Sequence, residues 1–141
     1  CMTARAWALA TTAELQNLAA ILEFTAACCR QCGVDEENTY SVRLAVDEAV
    51  ANVIEHAYGG AGGRLAMQCW SEGRDFYVQL RDWGKPFEPQ SVRSPKLSGS
   101  LSRRKAGGLG LHMMHKLMDE VRFSFDEDGN VLLMVKRDVA S

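Results

Sequence analysis

Asp47-Glu48-Ala49-Val50-Ala51-Asn52-Val53-Ile54-Glu55-His56 carries two periodicities at once. Val42, Ala45, Val46, Ala49 and Val53 recur at helical spacing, which predicts a helix with one apolar stripe turned to a core. Asp35 is placed to cap that helix, which runs toward Tyr58. Glu48, Asn52 and His56 sit four apart and form a polar stripe displaced from the apolar one. Polar groups in that position line a cleft beside the helix. A carboxylate and an amide oxygen one turn apart suit an oxygen-loving cation such as Mg²⁺, which takes few protein ligands and keeps waters. The same spacing also occurs on plain solvated helix faces, so the stripe needs support from elsewhere in the chain.

Working outward, residues 5–10 alternate as a short edge strand, and Thr11 with Glu14 forms a capping-box signature for an earlier helix. Leu15, Leu18, Leu22 and Ala26 give that helix its stripe, and Gly33 ends it. Downstream, Gly59-Gly60-Ala61-Gly62-Gly63 breaks the second helix. Strand-like stretches over 64–71 and 75–81 follow, hinged at Glu72-Gly73 as a hairpin. From 85 to 106 periodicity fails; three prolines, several serines and Arg103-Arg104-Lys105 fill a segment long enough to be a lid. Helical spacing returns with Leu109, Met113, Leu117 and Met118. Two strands over 121–126 and 131–137, joined by Asp128-Gly129-Asn130, close the chain. This order predicts an α/β (α+β) two-layer sandwich with a mixed, mainly antiparallel sheet covered by helices on one face. One domain over 1–141, with a lid at about 85–106, accommodates it.

Bulk properties exclude other classes. A net charge of −2 offers no basic footprint for nucleic acid. No apolar run approaches the roughly 18 residues that span a bilayer. The opening segment lacks a charged stretch ahead of a sustained apolar block, so a cytoplasmic protein is expected. Cys28, Cys29 and Cys32 include a Cys-x-x-Cys pair, but zinc takes about four ligands and no second pair exists. These cysteines read as packing at a helix end, reduced as the cytoplasm keeps them. His112 and His115 read as a helix face, and Met113, Met114 and Met118 as core filling.

Two further elements bear on chemistry. Asp82-Trp83-Gly84-Lys85-Pro86-Phe87 leaves a strand through a turn; its carboxylate can accept a hydrogen bond from an exocyclic amine such as that of adenine, with Gly84 leaving room for the base. Gly107-Gly108-Leu109-Gly110-Leu111 opens a helix, where exposed N–H groups and the helix dipole favour phosphate. It is neither a Walker nor a Rossmann loop.

Taken in order, DEAVANVIEHAY (47–58), DWGKPF (82–87) and GGLGL (107–111) resemble the N-box and the two glycine boxes of the GHKL ATPase superfamily. Within it the chain is most similar to the compact anti-sigma factor serine/threonine kinases, from about Leu9 to Lys136, including the last strand GNVLLMVKR. The resemblance implies a Bergerat fold with an ATP lid, and ATP and Mg²⁺ as cofactors. It implies Glu48 as general base, Asn52 as the Mg²⁺ ligand, Asp82 as the adenine reader and Gly84 as part of the adenine pocket. Gly107, Gly108, Leu109 and Gly110 would wrap the phosphates, and Arg104 and Lys105 would reach the γ-phosphate. His56 matches the motif without a role.

The implied activity is phosphorylation of Ser or Thr on a STAS-type anti-sigma factor antagonist, coupled to sequestering a sigma factor, by a homodimer. A non-catalytic ATP-binding module that switches partners is the alternative. A histidine kinase fits less well, because His56, His112 and His115 all lie within or after the N-box and no phospho-acceptor helix precedes it.

Overall fold

The computed structural model describes residues 5–87 and 108–141. The elements are β1 (Ala6–Thr12), α1 (Leu18–Gln31), α2 (Glu36–Asn52), β2 (Arg64–Glu72), β3 (Asp75–Asp82), α3 (Gly108–Leu117), β4 (Glu120–Asp126) and β5 (Gly129–Lys136). They form a five-stranded sheet in the order β1-β2-β3-β5-β4. Every pairing is antiparallel, so the mixed sheet expected from sequence narrows to an antiparallel one: both hairpins reverse the chain, and β5 inserts between β3 and β4.

Alternation decides which face is covered. Leu65, Met67 and Cys69 of β2, Phe76, Val78 and Leu80 of β3, and Leu132 and Met134 of β5 are buried against the helices. Ile21, Cys28 and Cys29 of α1 and Val42, Ala45, Val46 and Ala49 of α2 meet them. The opposite face carries Gln68, Gln79 and Arg81 beside a stacked Trp70–Tyr77 pair, ring centroids 5.2 Å apart. The fold is the two-layer α+β sandwich.

α1 starts later than its capping box implies. Thr11 and Thr12 pair with Leu65 and Arg64, so the strand holds the backbone that a cap would need. Thr12 Oγ1 donates to Glu14 Oε1, and Asn17 Nδ2 donates to Thr12 O and Oγ1 at 3.2 and 2.8 Å. A 3₁₀ turn, Leu15–Asn17, fills the gap and leaves Leu15 66% exposed. The buried face of α1 therefore centres on Ile21, Thr25, Cys28 and Cys29.

α2 follows its pattern. The Asp35 carboxylate accepts the Asn38 N–H at 2.8 Å, a cap contributing about 1 kcal/mol. After Asn52 the helix widens into a π turn, Val53–Ala57, closed by the Tyr58 N–H on the Val53 carbonyl at 3.1 Å. Such turns recur at functional sites.

Cys28, Cys29, Cys32 and Cys69 are reduced and buried, and burial pushes the Cys29 thiol up to about 12, away from thiolate chemistry. His112 and His115 lie exposed on α3, while Met114 and Met118 are in the core. Among the described residues no cluster of metal-ligating side chains forms, and no helix is long and apolar enough to cross a membrane.

Candidate functional site

The C-terminal half of α2 brings two polar side chains indoors: Glu48 is 4% exposed and Asn52 7%. Their neighbours Ala49, Val50 and Val53 are core residues, so the fold that buries the apolar stripe carries the polar one in with it. The start of α3 lies against both. A Cβ on Gly110 would stand 2.9 Å from Glu48 Oε1 and 3.7 Å from Asn52 Oδ1, so only a glycine lets the backbone come this close without crowding the carboxylate. Gly108, Leu109 and Gly110 make the first turn of α3, whose unpaired N–H groups and dipole favour an anion. A carboxylate and an amide oxygen beside a helix start form a donor set that fits a hard divalent cation bridging to phosphate.

Asp82 ends β3, directly opposite Asn130 of β5. Its Oδ1 accepts from Asn130 Nδ2 at 2.6 Å and from the Gly84 N–H at 2.9 Å, and Asn130 Nδ2 also donates to the Gly84 carbonyl at 3.2 Å. Among the described residues both bonds end on Oδ1, so Oδ2 is the oxygen that a ligand would meet. Burial holds the Asp82 carboxyl above its ordinary value of 3.8, against the opposing pull of the Asn130 and Gly84 donors. Asp82, Asn52 and Asn130 are the polar lining of one narrow pocket with a cavity volume of about 20 Å³, walled by Leu80, Met114 and Phe123 among others. Its mostly apolar lining with a few fixed polar groups has the chemistry that a flat heteroaromatic base meets, and the slot must widen to admit one.

Gly84, expected beside a bound base, sits where two backbones pass. Its absent side chain faces the π turn: a Cβ there would lie 2.4 Å from the Ala57 carbonyl oxygen, and the next amide, Lys85 N–H, bonds that oxygen at 2.7 Å. The glycine is needed for close passage of two backbones, and its own N–H and C=O brace Asp82 and Asn130. Gly84→Ala is expected to destabilise the fold by about 1–3 kcal/mol, measured by urea unfolding. An unchanged midpoint would show that the π turn yields.

Glu48 and Asn52 thus stand one helical turn apart beside Gly110, and Asn52 shares its pocket with Asp82. His56 leaves the stripe at the π turn and packs on Phe87, ring centroids 5.5 Å apart, with Phe87 edge-on to Phe123. Arg104, Lys105 and Gly107 lie outside the described residues, as does the part beyond Phe87 of the segment expected to be a lid. In the sequence Asn130 reads only as part of the Asp128-Gly129-Asn130 turn signal. No local pattern marks it; only the β3–β5 register sets it beside Asp82.

Comparison with known proteins bears on this arrangement. A family profile described as the histidine kinase-like ATPase domain matches residues 11–136. Serine-protein kinase RsbW of Bacillus cereus (strain AH820) is 26% identical over 128 residues, covering 88% of this chain and 79% of that protein. The RsbW of Halalkalibacterium halodurans is 33% identical over 110 residues, covering 74% of this chain and 65% of that protein. Among solved structures, the RsbU and RsbW domains of Rv1364c from Mycobacterium tuberculosis align with TM-score 0.63 at 16% identity, over 94% of this chain and 32% of that one. The catalytic domain of histidine kinase ThkA aligns with TM-score 0.54 at 15% identity, over 99% of this chain and 100% of that one. These two structures share the fold.

Proposed function

The chain belongs to the histidine kinase-like ATPase domain family, within the GHKL superfamily, and from that premise we propose that it is an ATP-dependent serine/threonine protein kinase of the anti-sigma factor type. Its substrate in this reading is a STAS-type antagonist, its second partner a sigma factor, and its working form a cytoplasmic homodimer. The observation that carries the reading is the burial of Glu48 and Asn52 against the start of α3, beside a pocket that Asn52 shares with Asp82.

In this reading Asp82 Oδ2 accepts a hydrogen bond from the exocyclic amine of adenine, while Asn130 and the Gly84 N–H fix the carboxylate through Oδ1. The amides of Gly108, Leu109 and Gly110 hold phosphate oxygens at the start of α3, joined by Gly107, Arg104 and Lys105 from the preceding segment. Asn52 is the side chain that would hold Mg²⁺, which when bound neutralises charge on the β- and γ-phosphates. Glu48 orients the attacking serine or threonine hydroxyl and takes its proton. As the hydroxyl oxygen bonds to the γ-phosphorus, the bond to the bridging oxygen breaks and ADP leaves. The identities of the RsbW relatives, named serine-protein kinases, support protein hydroxyl over histidine as acceptor.

The test is incubation of the protein with Mg-ATP labelled at the γ-phosphate and a purified STAS-type antagonist. Label on a serine or threonine of the antagonist is expected. ATP uptake without transfer would turn the assignment to a nucleotide-gated binding module.

A further inference from the structure

We propose that Tyr58 is a positioning residue for base recognition, its hydroxyl standing in for the missing last rung of the β2–β3 ladder and so fixing where Asp82 points. The inference rests on the reading of Asp82 as the group that accepts the adenine amine.

The β2–β3 pairing ends with Leu65 opposite Asp82. One step further, the groups a regular sheet would join are the Arg64 carbonyl and the Trp83 N–H. They do not bond each other. Tyr58 donates its hydroxyl to the Arg64 carbonyl at 2.6 Å and accepts the Trp83 N–H at 2.9 Å. The phenol thus holds the strand ends apart by one oxygen while bonding both backbone groups. Its neighbour Ala57 takes the Lys85 N–H at 2.7 Å. Consecutive residues at the exit of the π turn therefore pin the arc 83–85 at both ends. Between the pins lies Gly84, whose N–H holds Asp82 Oδ1 and whose carbonyl holds Asn130.

Space is cleared for this arrangement. A Cβ on Gly63 would stand 2.2 Å from Tyr58 Cε1, so the ring lies directly on glycine backbone. Arg64, whose carbonyl takes the hydroxyl, lays its guanidinium 3.9 Å from the centroid of the Trp83 ring, joining the same two residues by a second contact. Tyr58 itself is not among the residues lining the pocket, so its effect on a base passes through Trp83, Gly84 and Asp82.

Tyr58→Phe keeps the ring in its slot and removes the bridge. Binding of Mg-ATP and Mg-GTP to the full chain is measured by calorimetry, with thermal melts alongside. ATP presents an amine where GTP presents a carbonyl, so the ratio of the two affinities reads the placement of the Asp82 carboxylate, which a general loss of stability does not change. The ATP affinity is expected to fall about three- to tenfold with GTP nearly unaltered, the scale of one lost hydrogen bond, so the ratio contracts by the same factor. Gly63→Ala, which displaces the ring but keeps the hydroxyl, is expected to contract it likewise. An ATP:GTP ratio equal to wild type in both variants, whatever happens to the melting temperature, would overturn the proposal. A wild-type protein that binds ATP no better than GTP would instead remove the Asp82 reading, and this inference with it.

Discussion

Replacing Glu48 by Gln is expected to lower the rate of phosphoryl transfer about 10²–10⁴-fold, the usual contribution of a positioned general base, while nucleotide affinity changes little. The substitution keeps the volume of a side chain that is 4% exposed and lies against the first turn of α3, so packing there survives. What disappears is the ability to take a proton from the acceptor hydroxyl. Single-turnover transfer from γ-labelled ATP, set beside calorimetric binding of Mg-ATP, separates chemistry from uptake. If transfer persisted at the wild-type rate, Glu48 would have no part in the chemistry. If transfer and binding fell together, its role would be to hold the nucleotide.

Asp82→Asn should weaken ATP binding about 10²-fold, the scale of a charge-assisted hydrogen bond turned into a mismatch. Asn130 Nδ2 and the Gly84 N–H both need an acceptor at the inner position, so the new amide turns its oxygen to them. Its NH₂ then faces the pocket, donor toward donor. The same variant should be more stable than wild type at neutral pH. Burial holds the Asp82 carboxyl above its ordinary value of 3.8, so the native state keeps a proton that the unfolded chain has already released. Stability therefore falls as pH rises from that ordinary value through the native one, and the deficit remains at neutral pH. Thermal melts should show the advantage of the asparagine at neutral pH and its disappearance on acidification toward 3.8. Equal melting temperatures at every pH would mean that Asp82 carries no such strain. Function here opposes stability, as buried acceptors in binding sites often do.

Elements ruled by local chemistry were legible in the sequence. The Asp35 cap, the buried stripe from Val42 to Ala49 and the glycine-bearing reversals at Gly73 and Gly129 depend on neighbours within a few residues, and each stands where periodicity puts it. Thr11 shows the limit: its capping signature is sound locally, but pairing with Leu65 claims the backbone first. The strand order is a tertiary outcome that no periodicity contains. Within the candidate site, Glu48, Asn52 and Asp82 announced themselves by type and spacing. Asn130 did not, because its partner Asp82 is 48 residues away in the chain and the two meet only through sheet register. Gly84 reads in sequence as room for a base, whereas its close approach to the widened turn after Asn52 has no sequence signature.

Among the described residues four buried sulfhydryls, Cys28, Cys29 and Cys32 at the end of the first helix and Cys69 on the second strand, lie in the core at the seam between the helical layer and the sheet. An alkylating reagent meets them only when that seam parts, so the speed of labelling clocks how often the layers separate. The chain thus carries its own reporter of breathing, readable without attaching a dye, and comparing the clock with and without nucleotide would tell whether occupancy of the site tightens the far side of the sandwich.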